Sequence, residues 1–461
     1  MHLLAIGGSD AGIAAALRAR ELDDSLEVTV MLADEFPNFS ICGLPYLVAG
    51  EVLDWRDLAH RRREEIEALG IRVVTATIAR AIDVAGHRVR ATGPDGTERV
   101  IPYDRLVVAT GATPVRPTIT GLERLGAADG VHLLHTMGDA FEILTTLSER
   151  RPERAVVVGA GYIGLEMAES LTRRGLAVSL VEALPQVLSS LDPALADVVA
   201  TTLVAHGVEV RTATTVREVE RDGDELVVRA SGADGTEVAI RAGLVLVVTG
   251  VTPDVGLARA AGATLGARGA IQVDRRMATG LPDIYAAGDC VVTHHALLGD
   301  TYLPLGTTAH KQGRVAGESA LGGDRRFAGS LGTQVVRVFE TVAARTGIRD
   351  HEARDAGLDP RTVAVSVDDH KAYYPGATRI GVRLTGDGTT GRLLGVQLVG
   401  TVASAVHKRV DTAAAALFSG LGVDQLGDLD LAYTPPLGSP WDALQVAAQR
   451  WRAEAPTPDD R

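Results

Sequence analysis

Cysteine is nearly absent from the 461-residue chain, which holds only Cys42 and Cys290. Two thiols cannot form a disulfide framework, so a reducing, cytoplasmic setting is the expectation. Lysine is confined to Lys311, Lys371 and Lys408, which leaves arginine to carry almost all the positive charge. Base is also short relative to acid, 46 residues against 59, for a formal net charge of -13. A chain of that sign lacks the basic field that nucleic acid or an anionic membrane would require of a main partner. Long hydrophobic runs are missing too: stretches such as 244–251 are strand-sized and too short to span a bilayer. The N-terminus shows no basic region and no cleavage site, and residues 2–6 already read as a buried strand, so the mature protein is expected to begin here.

What is present fits a globular protein, with 46% hydrophobic and 23% charged residues. The length exceeds one ordinary core and implies two or three domains. Residues 2–6 read as a strand, 7–12 (GGSDAG) as a glycine turn, 13–22 as a helix and 28–32 as a second strand, which is the opening of a β-α-β nucleotide-binding unit. The design returns at mid-chain: strand 155–158, glycine turn 159–164 (GAGYIG), helix 165–174, strand 178–181. A second echo follows, LVVATGATP at 106–114 and VVTGVTP at 247–253, each an apolar strand running into a Thr-Gly turn. These are expected to close the two nucleotide-binding domains. Stretches 91–98 and 221–236 read as hairpin loops. Beyond about residue 330 an α/β segment is expected, with strands at 334–339 and 393–399 and a helix at 403–419. The tail 454–461 is expected to be disordered.

The central fingerprint Gly159-x-Gly161-x-x-Gly164 follows a strand, opens a helix and is matched by Glu182 at the end of the next strand. A carboxylate there bonds the adenosine ribose hydroxyls and repels a 2′-phosphate, and residues 183–190 hold no Arg or Lys to compensate. NADH is therefore expected over NADPH. The first fingerprint has Gly7 and Gly12 at the outer positions and Ser9 at the middle one, small enough for backbone to approach a pyrophosphate. The first acids after its second strand are Asp34 and Glu35. His294 and His295 lack the spacing of a metal-binding pair and read as surface residues, so no metal is expected.

Three further blocks carry a family resemblance: Asn38 to Tyr46 (NFSICGLPY) around Cys42, ATGATP at 109–114, and IYAAGDC at 284–290. With PLGTTAHKQGRVAG at 304–317 and YTPPLGSPWD at 433–442, the chain resembles the FAD-dependent pyridine nucleotide–disulfide oxidoreductases over nearly its whole length. Within them it is similar to the single-cysteine branch of coenzyme A disulfide reductases, NADH oxidases, NADH peroxidases and persulfide reductases. The resemblance implies an α/β fold with two Rossmann-like dinucleotide-binding domains and a C-terminal α/β dimerisation domain. It divides the chain into an FAD-binding domain at 1–116 and 246–325, an NAD(P)H-binding domain at 117–245, a dimerisation domain at 326–450 and a tail at 451–461.

FAD is implied at Gly7, Ser9, Gly12, Asp34, Thr110, Gly111 and Asp289, with the Gly313–Arg314 helix beside the flavin. NAD(P)H is implied at Gly159, Gly161, Gly164 and Glu182, with Tyr162 near the flavin and Glu166 in a position that pairs with a lysine in relatives. Cys42 is implied as the single redox-active thiol, because Leu47 stands where two-cysteine relatives place the second. Such a thiol cycles between thiolate and a mixed disulfide or sulfenic acid. Cys290 reads as a buried, inert thiol. Asp10 occupies a position where oxidase and peroxidase relatives carry histidine; it either caps the first helix or supplies a proton beside Cys42. Tyr433, and Tyr373 or Tyr374, match tyrosines that reach the sulfur from the other subunit of a homodimer. Arg18, Arg20 and the run Arg61-Arg62-Arg63 are the bases available to a coenzyme A phosphate, the run reading first as a solvated helix face. The implied substrate is a small-molecule disulfide or persulfide, the alternatives being O2 or peroxide, or a redox-sensing flavoprotein in which Cys42 is incidental.

Overall fold

The computed structural model describes residues 1–454, so the tail expected to be disordered lies, apart from Glu454, outside the described residues. Those residues form two compact units: 1–115, 133–144 and 250–330 in one, and 116–132, 145–249 and the chain from 331 onward in the other.

The first unit is organised by a five-stranded parallel sheet in the order Ile284–Ala286, Arg105–Val108, His2–Ile6, Glu27–Met31, Ile71–Val74. The first strand is buried from Leu3 through Ile6, as expected of a parallel strand covered on both faces. It lies at the centre, with its sequence successor on one side and the 105–108 strand on the other. That reversal opens a crevice at the carboxyl ends of the strands. The first helix begins at Asp10 and runs to Leu22, three residues earlier than the sequence pattern suggests. It packs along the helix Gly306–Ala320, where Gly313 and Gly317 face it. A Cβ on either would lie 2.3 Å from a backbone oxygen, of Ala11 and Ala15 respectively. The two glycines, one turn apart, let the helix backbones touch.

The second unit repeats the parallel sheet, in the order Glu209–Arg211, Ala177–Val181, Arg154–Val158, Leu244–Val247, Val131–His132. The same unit holds an antiparallel five-stranded sheet, Gln334–Val338, Thr341–Gly347, Leu393–Thr401, Arg379–Asp387, Pro360–Asp368, with the helices Val406–Phe418 and Ala443–Ala453.

The internal repetition is atomic. Gly7 donates its N–H to Met31 O at 2.8 Å and Gly159 to Val181 O at 2.8 Å. Ala109 donates to Ile6 O at 2.8 Å and Val248 to Val158 O at 2.9 Å.

Two expectations are corrected. The echo segments do not close their sheets, because each breaks at its Thr-Gly turn, where Gly111 and Gly250 take φ of +73° and +118°. The apolar halves lie beside the first strands, one place in from the edge, and the ends Ala112–Pro114 and Val251–Pro253 pair antiparallel with each other. The stretch 221–236 is not one loop: strand Glu225–Gly232 runs through it between two tight turns, its buried Leu226, Val227, Val228 and Ala230 outweighing the polar residues around them.

Candidate functional site

The first glycine turn is fixed by steric necessity. Gly7 takes φ +120°, and a Cβ on it would lie 2.0 Å from Ala109 O. A Cβ on Gly12 would lie 1.9 Å from Gly7 O. The turn therefore folds flat against its own strand and aims the start of helix Asp10–Leu22 into the crevice. Ser9 is the residue that caps this helix. It is exposed and makes no side-chain capping bond, so the N-terminal amides remain available to an anion. Asp10 occupies the first helical position and is not the cap: its carboxylate meets His310 Nε2 at 3.3 Å.

On the opposite wall, Thr110 Oγ1 donates to Asp254 O at 2.6 Å, and Gly111 O accepts the Asp254 N–H at 2.9 Å. Asp34 is exposed and accepts the Phe36 N–H at 2.9 Å. Asp289 is partly buried, and its carboxyl is pushed up to about 6, first by burial and then by the charge of Asp10. Beside it Gln312 is fully buried. Its Oε1 accepts the Gly288 N–H at 3.0 Å, while its Nε2 has no partner among the described residues. A strained carboxylate and an orphaned amide donor, next to open helix amides, fit a group that presents hydroxyls and a pyrophosphate, as FAD does. Cys290 is buried, its Sγ 3.4 Å from Ala287 O, and its thiol is pushed up to about 11 chiefly by burial. It is buried, as expected.

Cys42 is exposed. It lies in the short turn Ile41–Gly43, which leads into helix Leu44–Ala49. Leu47, where a second thiol would stand, is buried in apolar surroundings. The strap before Cys42 is held at both edges. Asn38, at φ +62°, donates to Gly8 O at 2.6 Å, and Ser40 donates to Leu58 O at 2.8 Å. Phe36 packs edge-on to Phe39, Trp55 and Phe141 at ring separations of 5.7, 5.6 and 5.6 Å. In a chain with 4% aromatic residues, this cluster is spent on the cysteine strap.

The second glycine turn repeats the first. Gly159 takes φ +105°, and a Cβ on Gly164 would lie 1.9 Å from Gly159 O. At Gly161 an added Cβ meets nothing, which leaves an open face for a phosphate to approach. Glu182 grips the turn: its carboxylate accepts the Ala160 N–H at 2.7 Å and the Leu184 N–H at 2.8 Å. The Tyr162 hydroxyl is bonded to Ser190 at 3.3 Å and to Gln334. Glu166 lies one turn further along the same helix. In the C-terminal segment, Tyr433 is held above its ordinary range by slight burial and by the neighbouring Tyr373, and both are exposed, as are Tyr374, Leu437 and Trp441.

Other candidates are committed elsewhere. Arg18 is paired with Glu318 at 2.7 Å and Glu21 at 3.1 Å. Arg20 is spent on the backbone oxygens of Leu69, Asp24 and Leu26. Arg61, Arg62 and Arg63 are exposed, Arg63 pairing with Glu67 at 2.9 Å. His295 is not a surface residue but buried, its Nδ1 accepting the N–H of Leu297 at 3.1 Å, because strand Thr293–His295 turns that ring inward. The sequence reading missed His310 and Gln312, although both stand in the quoted block 304–317.

Residues 1–313 match the family described as pyridine nucleotide-disulphide oxidoreductase, and 333–443 match its dimerisation domain. The chain belongs to this family. It is 35% identical over 453 residues to the "NAD(P)H sulfur oxidoreductase (CoA-dependent)" of Pyrococcus abyssi, covering 96% of each chain. It is 32% identical to an NADH oxidase of Methanocaldococcus jannaschii, over 97% of this chain and 98% of the other. Among solved structures, the NAD-dependent persulfide reductase from A. fulgidus superposes with a TM-score of 0.92 at 38% identity, over 98% of this chain and 83% of the other. The mixed α/β fold with parallel sheets is the family's fold.

The Asp289 carboxyl, raised from 3.8 to about 6, favours its protonated form in the fold. The native state then binds more protons than the unfolded chain between those values, so stability falls as pH rises through that window. In the flavin-free protein, Asp289→Asn is expected to gain up to about 3 kcal/mol at pH 7, an advantage that shrinks as pH falls towards 4. Denaturant unfolding of the two proteins at pH 4, 5, 6 and 7 checks it; an equal difference at every pH contradicts it.

Proposed function

We propose that this chain is an FAD-dependent NAD(P)H oxidoreductase that reduces the sulfur–sulfur bond of a small-thiol disulfide or persulfide through Cys42. The observation that carries the reading is an exposed thiol, at the end of a strap bonded to the first glycine turn, with Leu47 in place of a second thiol. With no second thiol in reach for an internal disulfide, a disulfide at Cys42 is one shared with substrate. The names of the relatives from P. abyssi and A. fulgidus support this substrate class. An oxidase activity towards O2 or peroxide is the second reading, supported by the relative from M. jannaschii.

The Cys42 thiolate attacks one sulfur of R–S–S–R′, forming Cys42–S–S–R and releasing R′S⁻. Two electrons and a proton then release RSH and restore the thiolate. When bound, FAD supplies the two-electron relay that lets NAD(P)H furnish this pair. The chain binds and orients. Ser9 and Gly12 would present amides to the FAD pyrophosphate on the turn that Gly7 shapes, Asp289 would accept from the flavin's hydroxylated side chain, and Asp34, Thr110 and Gly111 would complete the walls. Gly161 and Gly164 would do the same for the nicotinamide dinucleotide, on the turn that Gly159 shapes. Glu182 takes its ribose hydroxyls, and Tyr162 and Glu166 border the nicotinamide path. Tyr433, Tyr373 and Tyr374 belong to an exposed surface that a second copy of the chain would cover, which fits a homodimer.

Two outcomes are expected. Cys42→Ser loses disulfide and persulfide reduction by about 1,000-fold or more while keeping its flavin content. Full turnover in that variant would contradict the reading and leave an electron-transfer or redox-sensing flavoprotein. NADH exceeds NADPH in kcat/KM by roughly 5- to 150-fold, because Glu182 adds a like charge beside the 2′-phosphate worth on the order of 1–3 kcal/mol. Steady-state kinetics with both donors check it; equal values would show that a cation reaches the phosphate.

A further inference from the structure

Three side chains from three separate segments converge beside the first glycine turn. Asp10 heads the helix Asp10–Leu22, His310 lies on the helix Gly306–Ala320, and His60 follows the Phe39–Ala59 bridge. One donor atom from each falls within 4.8 Å of the others. His60 and His310 are exposed and Asp10 is partly buried, so the cluster opens to solvent on one side.

The spacing admits two arrangements, an ion pair and a shared ion. A charge-assisted N–H···O⁻ bond closes to about 2.7–2.9 Å, yet Asp10 Oδ1 and His310 Nε2 stand at 3.3 Å. Two donors on a tetrahedral ion with bonds of about 2.0–2.2 Å lie about 3.3–3.6 Å apart. The 3.3 Å spacing therefore fits a long ion pair, which holds the His310 imidazole above its ordinary range, and it fits two ligands of one ion equally well. The His60 and His310 rings stand nearly edge to face at 6.2 Å, and a His60 nitrogen lies within 4.8 Å of both other donor atoms. Two imidazoles and one carboxylate suit a d-block dication better than calcium or magnesium, which take oxygen ligands.

We propose that Asp10, His60 and His310 form a site for a divalent cation of the zinc class, with one coordination position left to water or an anionic sulfur ligand. The site has a structural consequence for Cys42. The His60 N–H is bonded to Asn38 O at 2.9 Å, and the Asn38 N–H to Gly8 O at 2.6 Å, two residues before Asp10. An ion held by Asp10 and His60 closes that ring of contacts and braces the strap that leads to the thiol. It also offsets the paired negative charges of Asp10 and Asp289.

The test is a Zn²⁺ titration of the holoenzyme, first stripped with chelator, in competition with a chromophoric chelator at pH 7.5. The unsubstituted protein and Cys42→Ser are expected to bind one Zn²⁺ per chain, and His60→Gln and His310→Gln to bind at least about 10-fold more weakly. His60 lies outside any helix, so its substitution keeps the test sound if His310→Gln fails to fold, with flavin content as the check. Absence of stoichiometric binding, or unchanged affinity in the histidine variants, would overturn the site. Loss of binding in Cys42→Ser alone would place the ion on the thiol and equally overturn it, without bearing on disulfide reduction.

Discussion

In both glycine turns the carbonyl oxygen of the first glycine lies against the α-carbon of the last, so closely that a Cβ would stand 1.9 Å away. Every other feature of the two nucleotide sites depends on that contact. It brings the helix start directly beneath the end of its strand, which fixes where the free amides point. It lets the next strand bond back to the first glycine, Met31 to Gly7 and Val181 to Gly159. It also explains the glycines on the partner helix: with the first helix drawn so close to its sheet, Gly306–Ala320 can seat only where Gly313 and Gly317 offer no side chain.

A chain of net charge -13 can hold two anionic dinucleotides because the attraction is local and carried by backbone. The acids at the sites do different work. Glu182 keeps its charge and is held by two amides of its own turn. Asp289 is not, and its raised pKa measures what the fold gives up to keep a carboxyl where a ligand hydroxyl can be recognised. Arg18 is occupied by Glu318 and Arg20 by backbone carbonyls.

The two turns and Cys42 were legible in the sequence because each is defined by residues close together in the chain. Gly7 and Gly12 follow from local steric demand, Glu182 from a fixed strand length, and Leu47 from the absence of a second thiol. What the sequence hid involves pairs distant in the chain. Ala112–Pro114 and Val251–Pro253 each look like the end of a strand, and only the fold shows that they pair with one another. Strand Glu225–Gly232 was hidden among turn residues, because its buried side chains answer to neighbours on both sides rather than to local propensity. Asp10 reads as a helix cap or as a proton donor beside Cys42, and its partner His310, three hundred residues away, is visible only in the fold.

The central claim is that Cys42 shares its oxidised state with a small sulfur compound. The most direct measurement is the intact mass of the purified protein, denatured without reductant and again after reduction. The account predicts added mass on the peptide containing Cys42, removed by reductant and equal to one small thiol or one sulfur atom. An unmodified Cys42 in protein oxidised with an excess of small-molecule disulfide would contradict it.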